Sequence, residues 1–401
     1  MKLWKKILLV LLGILLLVQI PFVYRRFQLG ALAEKINRLN AQRKEIPNPN
    51  FKEYKGIIHA HTSLGGHSTG SFEELIHGAN ANDLDFVLMT EHTTDIYDSS
   101  ALTLNGVYGK TLFVGGHEAN TISGDRFLLL PGSAESFADA QMETAAFLEK
   151  YHAENKLALI TYPEKFKSWD ANFDGIEVFS LHTNAKKANV FCALFDLVWS
   201  YSSYPDVTLA DYFERPAENL AKFDEIAAQR RITLSAGSDA HSNIGFHLFG
   251  DDAGNKIINF KIDRYWIIFR LVRQHVLVER DRPFNRENLL DAIKKGHSFV
   301  GFDVLGDTTG FSYAAESGAE NKMQGDEIAL AGTVKLKASA PQTARFVVFR
   351  NGEKVFEADD TSEITFDARE KGTYRVEVYL DQLGRNFNLT PWIISNPIYV
   401  K

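Results

Sequence analysis

Hydrophobic and polar positions divide the chain into four successive textures. From Ile7 to Tyr24 the chain is apolar, with Gln19 as the only strongly polar interruption. As a helix this run is about 27 Å long, close to the hydrocarbon thickness of a bilayer. Leu29, Leu32, Ile36 and Leu39 then recur at spacings of three and four, which predicts an amphipathic helix of about three turns. Pro47-Asn48-Pro49-Asn50 ends it. From Phe51 onward short apolar runs alternate with helical patterns. Ser71-Phe72-Glu73-Glu74 is a capping box opening a helix to about Ala81. Further helices are predicted over Ala134–Asn155, Ala217–Arg230 and Asn285–Lys295, the last with Asn285 as N-cap. This β-α-β rhythm predicts an α/β fold, a parallel sheet with helices outside, closed by an edge strand at His297-Ser298-Phe299-Val300.

Beyond Gly306 the pattern changes to short strands separated by turns, with Asn351-Gly352 as a hairpin signal. Such a run predicts an immunoglobulin-like β-sandwich. The division is therefore an anchor over 1–27, an amphipathic helix and linker over 28–50, an α/β domain over 51–305 and the sandwich over 306–401.

Composition changes little. The 401 residues, 45% hydrophobic, are ample for one large and one small domain. A net charge of -7 with no dominant basic face argues against a nucleic-acid partner. The single cysteine, Cys192, lies in an apolar run and reads as core packing. Lys2, Lys5 and Lys6 precede the N-terminal apolar run, and Arg25 and Arg26 end it. A cleavable signal peptide would use Ala31-Leu32-Ala33, but that lies beyond the apolar run and behind both arginines. A retained single-pass membrane anchor is the expectation. The Lys-rich start implies an extracytoplasmic catalytic domain, whereas Arg25, Arg26, Lys35, Arg38, Arg43 and Lys44 after the helix point the other way. Fewer than three heptads follow the anchor, too few to define an oligomer. Gly245 to Leu277 is rich in aromatics, Phe246, Phe249, Phe260, Tyr265, Trp266 and Phe269 among them, and reads as packing, or as a lid or membrane-facing patch.

The chemistry-bearing residues gather where apolar runs stop. Gly56-Ile57-Ile58 leads into His59-Ala60-His61, with His67 one Gly-Gly loop further on. On a strand, His59 and His61 share a face, roughly 7 Å apart at Cα. Phe86–Met89 leads to Glu91-His92, Leu112–Val114 to His117-Glu118, and Ile232–Ala236 to Asp239-Ala240-His241. In a parallel barrel the C-terminal strand ends form one active-site face. Imidazole with carboxylate suits zinc, manganese or iron. His117, His77, His152, His275 and His297 read as structural.

Together, His59-x-His61 with His67, then Thr90-Glu91-His92, His117-Glu118-Ala119-Asn120 and Ser238-Asp239-Ala240-His241 resemble the PHP (polymerase and histidinol phosphatase) metallohydrolase superfamily. The resemblance covers Tyr54 to Val304. It implies a distorted seven-stranded β/α barrel, usually a phosphoesterase, with a water activated between metal ions. It implies that His59, His61, Glu118 and Asp239 hold one divalent metal (Zn, Mn or Fe), and His67, His92 and His241 a second. Three-metal members place a histidine where this chain has Tyr162, so two metals are expected here. Tyr162 then becomes a hydrogen-bond donor to a developing oxyanion, His182 a ligand or substrate contact, and Glu91 the carboxylate supporting a neighbouring ligand. Lys165, Lys186 and Lys187 are candidate cations for the substrate.

The tail, Pro391-Trp392-Ile393-Ile394-Ser395-Asn396-Pro397-Ile398-Tyr399-Val400, resembles a subgroup that includes carbamate- and ester-cleaving metallohydrolases. Three functions follow: a phosphoesterase acting on a small-molecule phosphoester, a hydrolase of carboxylic esters, amides or carbamates, or a non-catalytic membrane-tethered binding protein.

Overall fold

The computed structural model describes residues 2–44, 47–250, 256–384 and 387–401, except the side chains of 246–250 and 256–259. The mixed α/β chain has a long N-terminal apolar helix and a C-terminal strand-rich region.

One helix, Leu3–Gln42, replaces the separate anchor and amphipathic helix. Its first half presents Leu3 to Ile20 with their side chains exposed, and by length and composition it could cross a membrane. Its second half packs on the protein through Phe22, Leu29 and Ile36, a seven-residue spacing that keeps one stripe facing the core. Arg25 and Arg26, expected to terminate the apolar helix, instead dock it. Arg25 pairs with Asp196 at 2.8 Å and with Asp211 at 2.6 Å, and Arg26 donates to the Trp199 carbonyl and to Ser203 Oγ. Ala31-Leu32-Ala33 lies inside this docked stretch.

The central strands pair in a closed circuit. Phe51–Ala60 pairs in parallel with Phe86–Met89, which continues as Glu91–His92. Those two segments pair in parallel with Thr111–Val114 and His117–Asn120. Arg126–Leu130 follows antiparallel, then Leu157–Ile160, again antiparallel. Gly175–Ser180 and Thr233–Ala240 continue in parallel, and Thr233–Ala240 returns to Phe51–Ala60. Both faces of these strands are buried: Ile57, Val87 and Phe113 join one apolar cluster, and Ile58, Leu88 and Val114 another. A sheet covered on both sides needs continuous apolar runs rather than alternation, which is why the strands are legible as runs.

Ser71 does close a capping box over the helix Phe72–Ala81, and Asn285 does cap Arg286–Lys295. The long helix predicted over Ala134–Asn155 is two shorter ones, Ser136–Asp139 and Thr144–Ala153. The expected edge strand is not an edge: Ser298–Gly301 pairs with Arg273–Glu279 on one side and Ile393–Ser395 on the other. The C-terminal region is thus joined to the central sheet by backbone pairing. The predicted hairpin is present, with Asn351 and Gly352 at φ 49° and 86° between paired Arg350 and Glu353. The short strands predicted around it are parts of two long ones, Val334–Arg350 and Glu353–Ala368. Ion pairs fasten this region to the helix Ala217–Ala227 and the residues just before it: buried Arg375 meets Asp224 at 2.7 Å, and half-buried Arg215 meets Glu377 at 2.6 Å. Of the aromatic segment, the side chains of Phe246 and Phe249 lie outside the described residues. Tyr265 and Phe269 are buried core.

Candidate metal centre

Simple strand alternation does not deliver the two leading histidines. His59 has φ 70°, and two residues, His59 and Ala60, stand where the neighbouring strand advances by one, from Leu88 to Met89. Asp239 has φ 48°, in the adjoining irregularity where Gly237 and Ala240 flank Ser238 and Asp239. Bulges of this kind re-aim side chains. The Ser238 hydroxyl ties the two together, donating to the His59 carbonyl at 2.8 Å. Tyr162, too, is left-handed at φ 52°. Of the eight such non-glycine residues among those described, His59, Tyr162, Asp239 and Ser242 are at or beside this cluster, and of those four only Tyr162 and Ser242 are not types that favour the conformation.

The side chains converge as the strand-end argument requires. One ligand atom each from His59, His61, Glu118 and Asp239 lie within 4.8 Å of one another, and those of His61, His92 and His241 do the same. His61 is common to both groups. His59 Nε2 is 3.4 Å from Glu118 Oε2 and 3.3 Å from Asp239 Oδ1; His61 Nε2 is 3.3 Å and 3.5 Å from the same atoms. His67 sits at the exposed rim, its ring 4.2 Å from that of His92 and 5.7 Å from that of His241.

Hydrogen bonds within the protein do not satisfy this cluster. Both ring nitrogens of His61, Nε2 of His92 and Oδ1 of Asp239 are buried with no hydrogen-bond partner. Buried polar atoms without partners are costly, and unpartnered atoms on three residues of these two groups, His61, His92 and Asp239, fit a cation. Electrostatics agree. Burial opposes charge on His59, yet Asp239, Glu177 and Glu118 hold its pKa well above the ordinary value. Those carboxylates attract positive charge, and a proton and a metal ion compete for the same place. Burial and the nearby His61 hold His92 down to about 3 and His241 to about 4, so both are neutral imidazoles able to ligate.

Two supporting residues carry no sequence signal of their own. Glu177, buried in the strand Gly175–Ser180, faces His59 Nδ1 at 2.8 Å, a carboxylate behind a ligand histidine that fixes its tautomer. Gly237 makes room for it, since a Cβ there would stand 2.5 Å from the Glu177 carboxyl. Arg126 donates to Glu118 Oε1 at 3.0 Å, leaving Oε2 for the cluster. Glu91, predicted for the supporting role, does something else. It accepts from the Thr62 amide and hydroxyl and from Thr103, and so holds the turn after His61.

Tyr162 follows the strand Leu157–Ile160 and donates to Asp239 Oδ2 at 2.6 Å. Burial and Asp239 push its pKa up, so the phenol keeps its proton. Arg126, Lys165 and Lys186 surround its ring at 4.8, 5.6 and 5.9 Å. Lys187 turns away toward Glu214. The His182 ring lies 6.3 Å from that of His241. His117 points to Ser99 and Ser133, away from the cluster.

No family model and no curated protein matches the chain. Among solved structures it is similar to the crystal structure of PsfC from Pseudomonas syringae PB-5123, with 14% identity, a TM-score of 0.35, and coverage of 63% of this chain and 94% of that one. A superposition this loose carries no argument about fold or function.

Proposed function

We propose that this protein is a membrane-anchored, metal-dependent phosphoesterase built on a PHP-type barrel, with an immunoglobulin-like sandwich at its C-terminus. The observation that carries the reading is the pair of ligand groups sharing His61, with buried polar atoms on His61, His92 and Asp239 that have no hydrogen-bond partner. His59, His61, Glu118 and Asp239 would hold one divalent metal, and His92 and His241 a second with His61 or His67. Metal bound there supplies an activated water and neutralises charge developing on the substrate. The chain's own groups do the rest. Glu177 orients His59, Arg126 orients Glu118, and the Tyr162 hydroxyl spends its one proton on Asp239 Oδ2, holding that carboxylate rather than donating to a substrate oxygen.

The cationic rim of Arg126, Lys165 and Lys186 favours an anionic substrate, and so a phosphoester over a neutral carboxylic ester. The packed second half of the N-terminal helix favours a retained anchor over a cleaved signal, since cleavage after Ala33 would remove Phe22 and Leu29 from their contacts.

The test is metal content per chain, followed by turnover of bis-p-nitrophenyl phosphate, p-nitrophenyl phosphate and p-nitrophenyl acetate. About two metals with phosphoester turnover supports the reading. Turnover of the acetate alone would move the assignment to carboxylic-ester hydrolysis. Absence of bound metal and of all turnover after adding manganese or zinc would leave the tethered binding protein.

A further inference from the structure

The N-terminal helix and the metal cluster meet through a third element, the helix Val190–Tyr201, whose faces have different surroundings. One face holds the N-terminal helix. Phe195 stacks on Phe22 at 4.8 Å, Asp196 receives Arg25, and Trp199 donates to Gln19 Oε1 at 2.8 Å. A second face is bare: Val190 is 82% exposed and Val198 67%, with Phe191 and Leu194 exposed beside them. The third face, with Ala193 and Leu197 one turn apart, lines a cavity of about 300 Å³. Asp239, His241 and His182 line the same cavity. Leu181, Leu209, Phe213, Ile268 and Leu271 make most of the remaining wall apolar.

Gln19 and Phe22 are the residues at which the N-terminal helix passes from its bare apolar half to its docked half. The bare face of Val190–Tyr201 therefore lies level with the end of the membrane-crossing stretch. A cluster of exposed Val, Phe and Leu rimmed by polar residues is costly in water and suited to a bilayer surface. One helix thus separates lipid from a chamber whose wall is mostly apolar, with Asn184, Thr208, Asn243 and Asp263 as further polar lining beside Asp239 and His241.

We infer that the site draws its substrate from the membrane: a glycerophospholipid whose acyl chain lies in the cavity bounded by Ala193 and Leu197 while its phosphodiester meets the metal cluster. This rests on the phosphoesterase reading above. Hydrolysis adds water across one P–O bond. The water oxygen joins phosphorus, the bond to the departing alcohol oxygen breaks, and the proton of the water ends on that oxygen. The products are an alcohol and a phosphomonoester. The cationic residues around Tyr162 face the head group, and the apolar wall takes the chain, where a free polar head group would lose its hydrogen bonds.

The test uses the full chain in detergent micelles, loaded with manganese or zinc. Palmitoyl lysophosphatidylcholine and glycerophosphocholine carry the same phosphodiester and differ in the acyl chain. The expected result is a kcat/KM at least about 100-fold higher for the lysolipid, since a buried acyl chain adds binding that the head group alone lacks. Ala193→Trp, which fills the cavity, should bring that ratio below about ten; Ala193→Phe serves if the larger side chain prevents folding. Equal turnover of the two diesters, or a preference that survives both substitutions, overturns the inference. So does cleavage of bis-p-nitrophenyl phosphate with neither glycerol diester cleaved. Cleavage of p-nitrophenyl phosphate without bis-p-nitrophenyl phosphate overturns this inference and leaves the phosphoesterase reading; failure to cleave either phosphate overturns both.

Discussion

Among the described residues, the buried histidine and carboxylate groups at His275 and at His61 are built from the same residue types, and the second has the unpartnered atoms that a metal ion could take. At His275, Nδ1 meets Glu53 Oε1 at 2.6 Å, while Nε2 meets Asp303 Oδ1 at 3.2 Å and Thr308 Oγ1 at 3.0 Å. Arg273 takes the other Asp303 oxygen at 3.2 Å, and the Gly310 amide donates to Glu53 Oε2. Every polar atom there has a partner from the chain itself. At His61 neither ring nitrogen has one, and Asp239 Oδ1 lacks one too. The residue types are alike; the balance of donors and acceptors differs. Burying histidine and carboxylate together is therefore not itself a sign of metal binding. Ligand atoms brought together and left without partners fit a metal ion.

The sharpest way to break this comparison is at Asp239. Asp239→Asn removes a carboxylate shared by His59, His61 and Tyr162, and turnover should fall by roughly 10³-fold or more with loss of bound metal. Thermal unfolding of the metal-free protein should shift as well, because the carboxylate removed supports the charge of buried His59 and accepts from Tyr162, so metal content is the readout that separates the two sites. His275→Ala should behave the other way. It leaves Glu53 and Asp303 short of a buried partner and should cost about 3–5 kcal/mol in urea unfolding, with metal per chain unchanged.

The pH dependence of stability follows from the same pair. Burial works against a charged His275, yet Asp303 and Glu53 raise its pKa to about 9. Its contribution, on the order of 3 kcal/mol, should be complete below pH 6.5, the ordinary histidine value, and lost as pH rises through about 9. Asp303 is shifted down by His275 and Arg273 against the effect of burial, so its share is lost instead as pH falls. Urea melts from pH 6 to 10 should show the alkaline loss in the native protein and a flattened profile in His275→Gln. The smallest expected effect is at Glu177. Glu177→Gln keeps a partner for His59 but not the negative charge, and should weaken metal affinity by about 10–100-fold in chelator competition. An unchanged affinity would mean that Glu177 is packing alone.

Much of the site is legible in the chain because it depends on short-range pattern. Apolar runs that stop at His59, His92, Glu118 and Asp239 mark the C-terminal ends of strands, and neighbouring strands bring those ends together whatever the loops do. The Ser71 capping box, the Asn285 cap and the Asn351-Gly352 turn are equally local, each set by a few adjacent residues.

Tertiary structure decided what depends on partners far apart. Glu177 lies 118 residues from His59, and in the chain it is one acid within an apolar strand; only the register of adjoining strands, with Gly237 leaving room, places it behind the imidazole. Glu91 sits beside a ligand histidine in sequence, yet its carboxylate goes to Thr62 and Thr103. The arginines after the apolar run read as a terminus until Asp196 and Asp211 meet Arg25 and the helix continues to Gln42. Period and composition determine where an element begins and which face it buries. Which atoms then satisfy one another is settled by packing, and that is why the same residue types form a closed ion-pair network at His275 and an open ligand cluster at His61.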